Sequence, residues 1–334
     1  MADLNHTISS VFLQKTVAII GDLVADQFLN GTIQRVSREA PVFIMRHDAT
    51  ATLPGAAANA AANVASLGGK PILIGITGTD LNAETLANAL DKSNVARDRV
   101  VSAPDFITTT KVRVLAGQHY AARQQVIRID YENTAAITDE VRSLLRQNLA
   151  DTADRADAII VSDYGYGAVF AGLFDDARAI SRERHIPLIV DSRYRLGDFT
   201  GATTATPNRE EVEQILGQGF TPDDCAALRD RLGYTSLLVT NGSEGMTLLE
   251  KDKPALHLAA VGPAEPVDVT GAGDTVIAAY ALGLASGLNF AEAAAVANHA
   301  GGLVVMKKGT ATVAAQELAA SLGSAASLVE KHAG

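Results

Sequence analysis

The sequence predicts an α/β fold in which helices cover both faces of a mainly parallel sheet. Short apolar runs typical of buried strands alternate along the chain with longer runs typical of helices. These strands are apolar on both faces, as expected for a sheet that is covered on both sides. Two more polar, strand-like stretches, residues 31–53 and 106–131, interrupt the alternation and predict a separate small β-sheet.

The predicted elements follow one another in a simple order. The first buried strand covers residues 17–20, and a helix then opens at residues 54–59 and runs to about Leu67. The remaining strands are predicted at 72–76, 158–161, 188–190 and 237–240, and the remaining helices at 83–93, 141–149, 173–185, 276–288 and 291–306. Alternation of this kind builds βαβ units and therefore a parallel sheet.

The small sheet interrupts the core twice. We therefore assign residues 1–30, 54–105 and 132–334 to the α/β core, and residues 31–53 and 106–131 to the small sheet. Within the second insert, a turn is predicted around Gly117 and Gln118. Alternation places Lys111 and Arg113 on one face of a strand, with Val112 and Val114 on the other, and lets Arg128 and Asp130 share a face.

Composition restricts the class of protein. The chain has 334 residues, 47% of them hydrophobic and 20% charged, which is enough for a large packed core. Its net charge of −10 argues against a general binder of nucleic acids or anionic membranes. The one cysteine, Cys225, excludes an intramolecular disulfide. Because residues 1–15 lack a signal-peptide pattern and no apolar run is long enough to span a bilayer, we expect a cytoplasmic protein.

Residues 267–275 carry the strongest functional signal. Gly271, Ala272 and Gly273 precede an apolar helix, so free backbone N–H groups and the positive end of the helix dipole should face an anion there. Asp274 stands beside this anion hole and could accept a proton from a hydroxyl group. The alternative is that Asp274 only caps the helix and that the glycines only form a tight turn.

A second acidic pair follows the first strand. Asp22 and Asp26 come directly after its carboxyl end, the edge at which ligands collect in open α/β sheets. Their carboxylates could accept hydrogen bonds from sugar hydroxyls, and the alternative is a turn aspartate together with a solvated one.

These segments together resemble the ribokinase (PfkB) family of sugar kinases. Residues 268–275 are similar to the second signature of that family, and residues 54–59 to the first, although Ala56 stands at its second glycine. The string Gly21-Asp22-x-x-x-Asp26 resembles the sugar-contacting start. The resemblance runs from about residue 17 to residue 318. It implies a ribokinase-like three-layer α/β/α sandwich in which the small sheet is a lid and often a dimer contact.

The resemblance also implies roles for individual residues. Asp274 would be the catalytic base, and the backbone of Gly271, Ala272 and Gly273 would form the anion hole. The sugar would contact Asp22, Asp26, Gly55 and Asn59. On the nucleotide side, the resemblance implies ATP, Mg²⁺ and K⁺. Asn208 and Glu211 would lie at the Mg²⁺–phosphate region, with Glu211 binding Mg²⁺ through water, and Asp268 and Thr270 would lie near a monovalent cation. The nucleotide itself would contact Thr240, Gly242 and Gly245 near the phosphates, and Asn298 and Gly309 elsewhere. Without the resemblance, Asn208 would be an N-cap and Glu211 a first-turn acid.

The resemblance extends to bacterial D-glycero-β-D-manno-heptose 7-phosphate kinases, which phosphorylate O1 of a sugar that already bears a phosphate. The strings that carry it are residues 35–42, 111–114, 127–130 and 161–164. The small sheet is rich in cations, namely Arg35, Arg38, Arg46, Lys111, Arg113, Arg123 and Arg128. Guanidinium groups bind phosphate bidentately, so we expect Arg113 and Arg128, followed by Lys111, to contact the substrate phosphate. Asp163 and Arg193 are expected on the same substrate side.

Two departures leave the substrate open. Tyr166 stands where these heptose kinases usually have a lysine, and Ser192-Arg193 stands where they usually read Pro-Lys. A kinase for another sugar or sugar phosphate, like ribokinase or fructokinase, is therefore an alternative. So is a catalytically silent sugar-phosphate sensor on the same scaffold. A nucleotide-binding dehydrogenase is disfavoured because no Gly-x-Gly-x-x-Gly follows the first strand.

Overall fold

The computed structural model describes residues 4–117, 123–133, 136–263 and 265–332, with only the backbone given for residues 324–332. Its central sheet has six strands in the order β10-β9-β8-β1-β4-β5, and all of its paired strands are parallel. Their bounds are β1 Thr16–Gly21, β4 Lys70–Thr77, β5 Val100–Ser102, β8 Ala158–Asp163, β9 Leu188–Ser192 and β10 Thr204–Ala205. The predicted α/β fold with a parallel sheet is confirmed.

The helices lie on both sides of this sheet. Within the described residues they are α1 Leu4–His6, α2 Ala57–Ser66, α3 Leu81–Lys92, α4 Asp139–Ala150, α5 Ala171–Arg184, α6 Arg209–Leu216, α7 Pro222–Leu232, α8 Ala272–Ala285, α9 Phe290–Val304 and α10 Ala315–His332. Strand β1 shows the layering: Val17 and Ile19 join the apolar cluster that contains α2, α8 and α9, whereas Ala18 and Ile20 join the cluster under α4 and α5. Alternate residues of one strand therefore belong to two cores, and the molecule has three layers.

Two further sheets complete the molecule. An antiparallel sheet is formed by β11 Ser236–Thr240, β12 Met246–Glu250 and β13 Leu256–Leu258. The small sheet predicted from the two inserts has four strands in the order β3-β2-β6-β7, with bounds β2 Leu23–Val36, β3 Phe43–Ala56, β6 Thr110–Gly117 and β7 Gln124–Tyr131. Strands β2 and β6 pair in parallel, and the other two pairs are antiparallel.

The small sheet is longer than the inserts from which it was predicted. Strand β2 begins at Leu23, directly after β1, and β3 runs on to Ala56, where α2 follows at once. The pairing of β2 with β3 changes register between Asn30 and Gly31, at the boundary assigned from the sequence. Because β2 and β3 start and end beside the carboxyl edge of the central sheet, the small sheet stands over that edge. Gln118, part of the predicted turn, lies outside the described residues.

In the described part of the chain, we find no helix whose length and apolar character would allow it to cross a bilayer.

Candidate active site

The N-terminus of α8 is shaped by glycine. Gly271 is the N-cap and has a left-handed φ of 77°, and a Cβ at this position would lie 2.5 Å from Nδ2 of Asn59. Glycine is therefore needed here for both backbone conformation and space. The amide of Ala272 donates to Val269 O at 3.2 Å, whereas the amide of Gly273 has no hydrogen-bond partner among the described residues. The helix thus presents a free N–H group, which is suited to an anion.

Asp274 lies in the first turn of α8 and is 2% exposed. Its Oδ2 accepts a hydrogen bond from Nδ2 of Asn59 at 2.8 Å, and its Oδ1 accepts one from the hydroxyl of Tyr164 at 3.1 Å. Burial raises the pKa of Asp274 to about 7, although these two hydrogen bonds act in the opposite direction. A carboxyl group with this pKa is half ionised near neutral pH, as a general base requires.

A polar cavity of about 310 Å³ opens in front of Asp274. It is lined by substrate-side residues predicted from the sequence together with the helix N-terminus: Asp26, Lys111, Arg113, Arg128, Arg193, Thr270, Gly271 and Asp274, joined by Asp130, Glu132, Tyr164, Tyr166 and Thr310. Gly55 leaves room for this arrangement, because a Cβ there would collide with the Asp26 carboxylate. The structure thus gathers charged groups from the small sheet and the core around one candidate base.

The register of the small sheet explains how its charges converge. Asp26 on β2 is opposite Lys111 on β6, and Lys111 is opposite Asp130 on β7. Two residues further along β6, Arg113 is opposite Arg128 on β7. Because side chains two residues apart share a face of a strand, all five charged groups are on the same face of the sheet. The predicted sharing of faces by Lys111 with Arg113, and by Arg128 with Asp130, is confirmed.

The cations of this cavity are not equally available to a ligand. Arg113 pairs with Asp26, and Arg128 pairs bidentately with Asp130 at 2.9 Å through both of its contacting nitrogens. By contrast, the structure shows no carboxylate within 4 Å of Lys111 or Arg193 in the described part of the chain. Lys111 instead lies over the rings of Tyr164 and Tyr166, 5.5 Å from each centroid. The sequence favoured Arg113 and Arg128 as phosphate contacts, which stays a prediction; in the structure both are ion-paired, whereas Lys111 and Arg193 are not ion-paired within the described residues.

An apolar cavity of about 200 Å³ lies on the other side of the same helix N-terminus. Its lining includes most of the predicted nucleotide-side residues, namely Thr240, Gly242, Gly245 and Asn298, together with Ala272 and Gly273 of α8. Asn298 is held in place by donating from Nδ2 to Ala259 O at 2.7 Å. Val269 lines both cavities. The segment 269–274 therefore separates a polar cavity from an apolar one.

Two of the predicted sugar contacts are used for structure. The Asp22 carboxylate accepts three backbone N–H groups, from Tyr164 at 2.8 Å, Tyr166 at 3.0 Å and Ala168 at 2.9 Å. Asp163 is 1% exposed and is held by Ser192 and Arg195. Neither carboxylate lines the polar cavity. Asp22 thus shapes the loop that follows β8, which places Tyr164 against Asp274.

Asn59 also differs from the expectation that it contacts a sugar hydroxyl. It is fully buried, and its amide nitrogen is bonded to the carboxylate of Asp274. It is not part of the cavity wall. Its observed partner is therefore the candidate base.

Asn208 and Glu211 form a capping box at the start of α6. The Asn208 side chain accepts from the Glu211 amide at 2.9 Å, and Glu211 Oε2 accepts from the Asn208 amide at 2.9 Å. Asp191, at the carboxyl end of β9, lies nearby. Burial raises the pKa of Asp191 well above its ordinary value, and the charges of Glu211 and Asp274 raise it further. The charge of Arg193 offsets part of the repulsion between these two carboxylates, and a hydrated divalent ion, which needs only one or two carboxylates, would offset more of it.

Asp268 clamps two loops together. Its Oδ1 accepts from the Thr270 amide at 2.9 Å, and its Oδ2 accepts from the Gly309 amide at 2.8 Å. Gly309 therefore lies beside Asp268 and Thr270 and not in the apolar cavity. Each Asp268 oxygen accepts one backbone hydrogen bond and retains a lone pair, so the expected role of Asp268 at a monovalent cation stays a prediction.

Sequence reasoning missed two residues of this site. Tyr164 was noted only as part of the string 161–164, and Asp191, which directly follows the predicted strand 188–190, was given no role. Tyr164 directly follows β8, and Asp191 lies one residue before the end of β9, at the edge of the sheet where ligands gather. Their position at this edge of the sheet was the one sequence feature that could have identified them as site residues. The hydrogen bond from Tyr164 to Asp274 joins residues 110 positions apart, and no local pattern reports it.

The pfkB family carbohydrate kinase model matches residues 15–317 of the chain. Among curated proteins, the bifunctional protein HldE of Gluconobacter oxydans (strain 621H) is 38% identical over 317 residues, and that of Aeromonas salmonicida (strain A449) is 40% identical over 318. These alignments cover 92% and 93% of this chain but 64% of each relative. The chain thus spans a little under two thirds of the length of these relatives.

Solved structures with the same fold include two kinases. Arabidopsis thaliana ribokinase complexed with ribose and ATP has a TM-score of 0.70 at 20% identity, covering 92% of this chain and 98% of that one. Escherichia coli phosphofructokinase-2 in complex with potassium has a TM-score of 0.72 at 18% identity, covering 91% and 96%. At such identities, the likeness establishes the ribokinase-like fold.

The three hydrogen bonds to Asp22 lead to a stability prediction. Asn in place of Asp22 offers a single acceptor oxygen, so at least one backbone donor is left unpaired in a buried site. We expect Asp22→Asn to lower the free energy of unfolding by about 2 kcal/mol, measured by urea denaturation. Asp139→Asn, at an exposed position that starts α4, serves as the control. Equal stability of the Asp22 variant and the parent would contradict this role.

Proposed function

Because the chain belongs to the pfkB family of carbohydrate kinases, we propose that it transfers the γ-phosphoryl group of ATP to a sugar hydroxyl, specifically O1 of D-glycero-D-manno-heptose 7-phosphate. One observation carries the proposal. The N-terminus of α8 separates a polar cavity from an apolar one, and a buried carboxyl group with a pKa of about 7 faces the polar side. An acceptor and a nucleotide bound on the two sides would meet at this helix terminus.

The chemistry follows from this arrangement. Asp274 accepts the proton of the acceptor hydroxyl as that oxygen attacks the terminal phosphorus. The free amide of Gly273 and the positive end of α8 stabilise negative charge on the transferring group. The small sheet stands over the acceptor, and excluding water there limits hydrolysis of ATP.

Mg²⁺, when bound, would supply positive charge to the phosphates of the nucleotide. Glu211 and Asp191 are the residues that would hold it, through water, because both are acidic and the charges of Glu211 and Asp274 both act on Asp191. Burial raises the pKa of Glu211, and a cation would favour its ionised form. A monovalent cation such as K⁺ would be bound by loop oxygens beside Asp268 and Thr270, a role that the family resemblance supports.

The acceptor is proposed to carry a phosphate because of the cations in the polar cavity. Lys111 lies on the small sheet and Arg193 in the loop after β9, and both line the polar cavity. Neither forms an ion pair with a carboxylate in the described residues. Burial lowers the pKa of Lys111, while the charges of Asp26 and Asp130 favour its protonated form. A phosphate dianion between the two cations would gain charge-assisted hydrogen bonds from both. The resemblance of residues 35–42, 111–114, 127–130 and 161–164 to heptose 7-phosphate kinases supports a heptose phosphate as its source.

Asp274→Asn tests the proposed chemistry. Asparagine keeps the size of the side chain and one acceptor oxygen but cannot accept the proton, so turnover should fall by about 10²- to 10⁴-fold. Nucleotide affinity should change little, because Asp274 does not line the apolar cavity. The rate is measured as ADP release with saturating sugar, and affinity by calorimetry with ATP. Asp139→Asn again serves as the control, and undiminished turnover in Asp274→Asn would exclude this base.

Substrate choice is tested with a panel of heptose 7-phosphate, unphosphorylated heptose, ribose, fructose and their phosphates. We expect heptose 7-phosphate to have the highest kcat/KM. Arg193→Gln should raise the KM for this substrate by about 10-fold, the effect of one hydrogen bond to a charged group, and should change the KM for the unphosphorylated sugar little. Arg97→Gln, at an exposed position outside the cavity, is the control. A higher kcat/KM for ribose or fructose would replace the heptose assignment.

The outer face of the small sheet supports a homodimer. Ile127, Ile129 and Tyr131 of β7 are 53%, 43% and 49% exposed and point away from the polar cavity. We expect a second copy to cover this face, so sedimentation velocity should give a dimer for the wild type and a monomer for Ile129→Asp. Leu256→Asp, an equally exposed apolar position on β13, should remain dimeric. A wild-type monomer at micromolar concentration would refute the interface.

A further inference from the structure

A polar network runs through the core to Asp274. The hydroxyl of Thr275 donates to Oδ1 of Asn63 at 2.9 Å, and Nδ2 of Asn63 donates to Oδ1 of Asn59 at 3.2 Å and to its carbonyl oxygen at 3.0 Å. Asn59 then donates to Oδ2 of Asp274. Thr275, Asn63 and Asn59 are all fully buried. A buried polar group without a hydrogen bond lowers the stability of the fold, so each donor in this network should face an acceptor.

The direction of the network follows from its donors and acceptors. An amide side chain has one accepting and one donating end, whereas an ionised carboxylate can only accept. The backbone carbonyl of Asn59 can only accept, so it holds the donating end of Asn63 toward Asn59 and leaves the accepting end of Asn63 facing the Thr275 hydroxyl. The donating end of Asn59 must then face Asp274. Reversing either amide would place two acceptors together, so the N–H of Asn59 is held against the carboxylate.

The second oxygen of Asp274 is held from the opposite side. Tyr164, in the loop after β8, donates its hydroxyl to Oδ1. Its ring lies under the ammonium of Lys111, and the loop itself is tied to the Asp22 carboxylate through backbone amides. Each carboxylate oxygen thus accepts one hydrogen bond from the protein and retains a lone pair for a substrate hydroxyl.

We propose that Tyr164 and the chain Thr275–Asn63–Asn59 are positioning residues that hold Asp274 as an oriented carboxylate for the reaction. This inference rests on the proposed kinase function. Neither Asn59 nor Asn63 lines the polar cavity, so the network contacts the cavity only through Asp274 among these three residues. The two hydrogen bonds from neutral donors favour the charged form of a carboxyl group whose burial opposes ionisation.

The charged groups around Asp274 have opposing effects on its ionisation. Asp26 on β2 disfavours the charged form, and Lys111 on β6 favours it. Asp191 on β9 is also close enough to interact with it. Removing the Tyr164 hydroxyl leaves these charges in place, so its effect on the titration of Asp274 can be read separately.

The test is the pH dependence of kcat/KM for the sugar. The wild-type rate should fall on the acidic side with an apparent pKa near 7, because protonated Asp274 cannot accept a proton. In Tyr164→Phe this acidic limb should move to higher pH by about one unit, since one hydrogen bond to the charged form is lost. Tyr166→Phe is the matched control. Its ring also contacts Lys111, but its hydroxyl is bonded to Glu132, so the acidic limb should stay in place.

A second pair of variants keeps the proposal testable if Tyr164→Phe does not fold. Thr275→Val removes the donor to Asn63 and should also move the limb upward, and Thr275→Ser should restore it. An acidic limb that is unchanged in both Tyr164→Phe and Thr275→Val would overturn the proposed network. A wild-type enzyme without sugar kinase activity would instead overturn the proposed function. In that case, ¹³C NMR titration of the Asp274 carboxyl, assigned with Asp274→Asn, would decide the network independently by the same shift.

Discussion

The burial of one carboxyl group beside a helix N-terminus governs the site. Burial removes Asp274 from water and raises its pKa. Hydrogen bonds from Asn59 and Tyr164, which are far from Asp274 in sequence, act in the opposite direction, and the pKa is about 7. Because Asp274 follows Gly273 in the first turn of α8, it also lies next to the free amide of Gly273 and the positive end of the helix dipole. A group that titrates near neutral pH and faces an anion site is suited to take a proton during phosphoryl transfer.

Other carboxylates of the site serve as structural clamps, and their role is to keep this geometry. Asp22 collects the amides of the loop after β8 and so positions Tyr164. Asp268 joins the loop before α8 to the loop that contains Gly309. Loops at the edge of a sheet have backbone N–H groups without a partner in the sheet. A single carboxylate that accepts hydrogen bonds from two or three of them orders the loop.

The small sheet contributes charge in a regular array. Its register places Asp26, Lys111 and Asp130 in one row, and Arg113 and Arg128 in the next. Pairing within the array neutralises the two arginines and leaves Lys111, with Arg193 from the core, able to bind an anion. The capacity of the site to bind an anion thus depends on which cations lack a carboxylate partner, and the number of cations is a poor guide to it.

The sequence by itself determined the fold class, the small sheet, the helix after Gly273, and the shared strand faces of Lys111 with Arg113 and of Arg128 with Asp130. These features depend on local patterns: strand and helix periodicity, the left-handed turn at Gly271, and alternation along a strand. The tertiary structure alone decided which polar groups pair. Asp22 and Asn59 look like ligand contacts in the chain, yet their partners are amides of the loop after β8 and the carboxylate of Asp274. Such pairing joins residues far apart in sequence, and burial then sets its energy, so no local pattern encodes it.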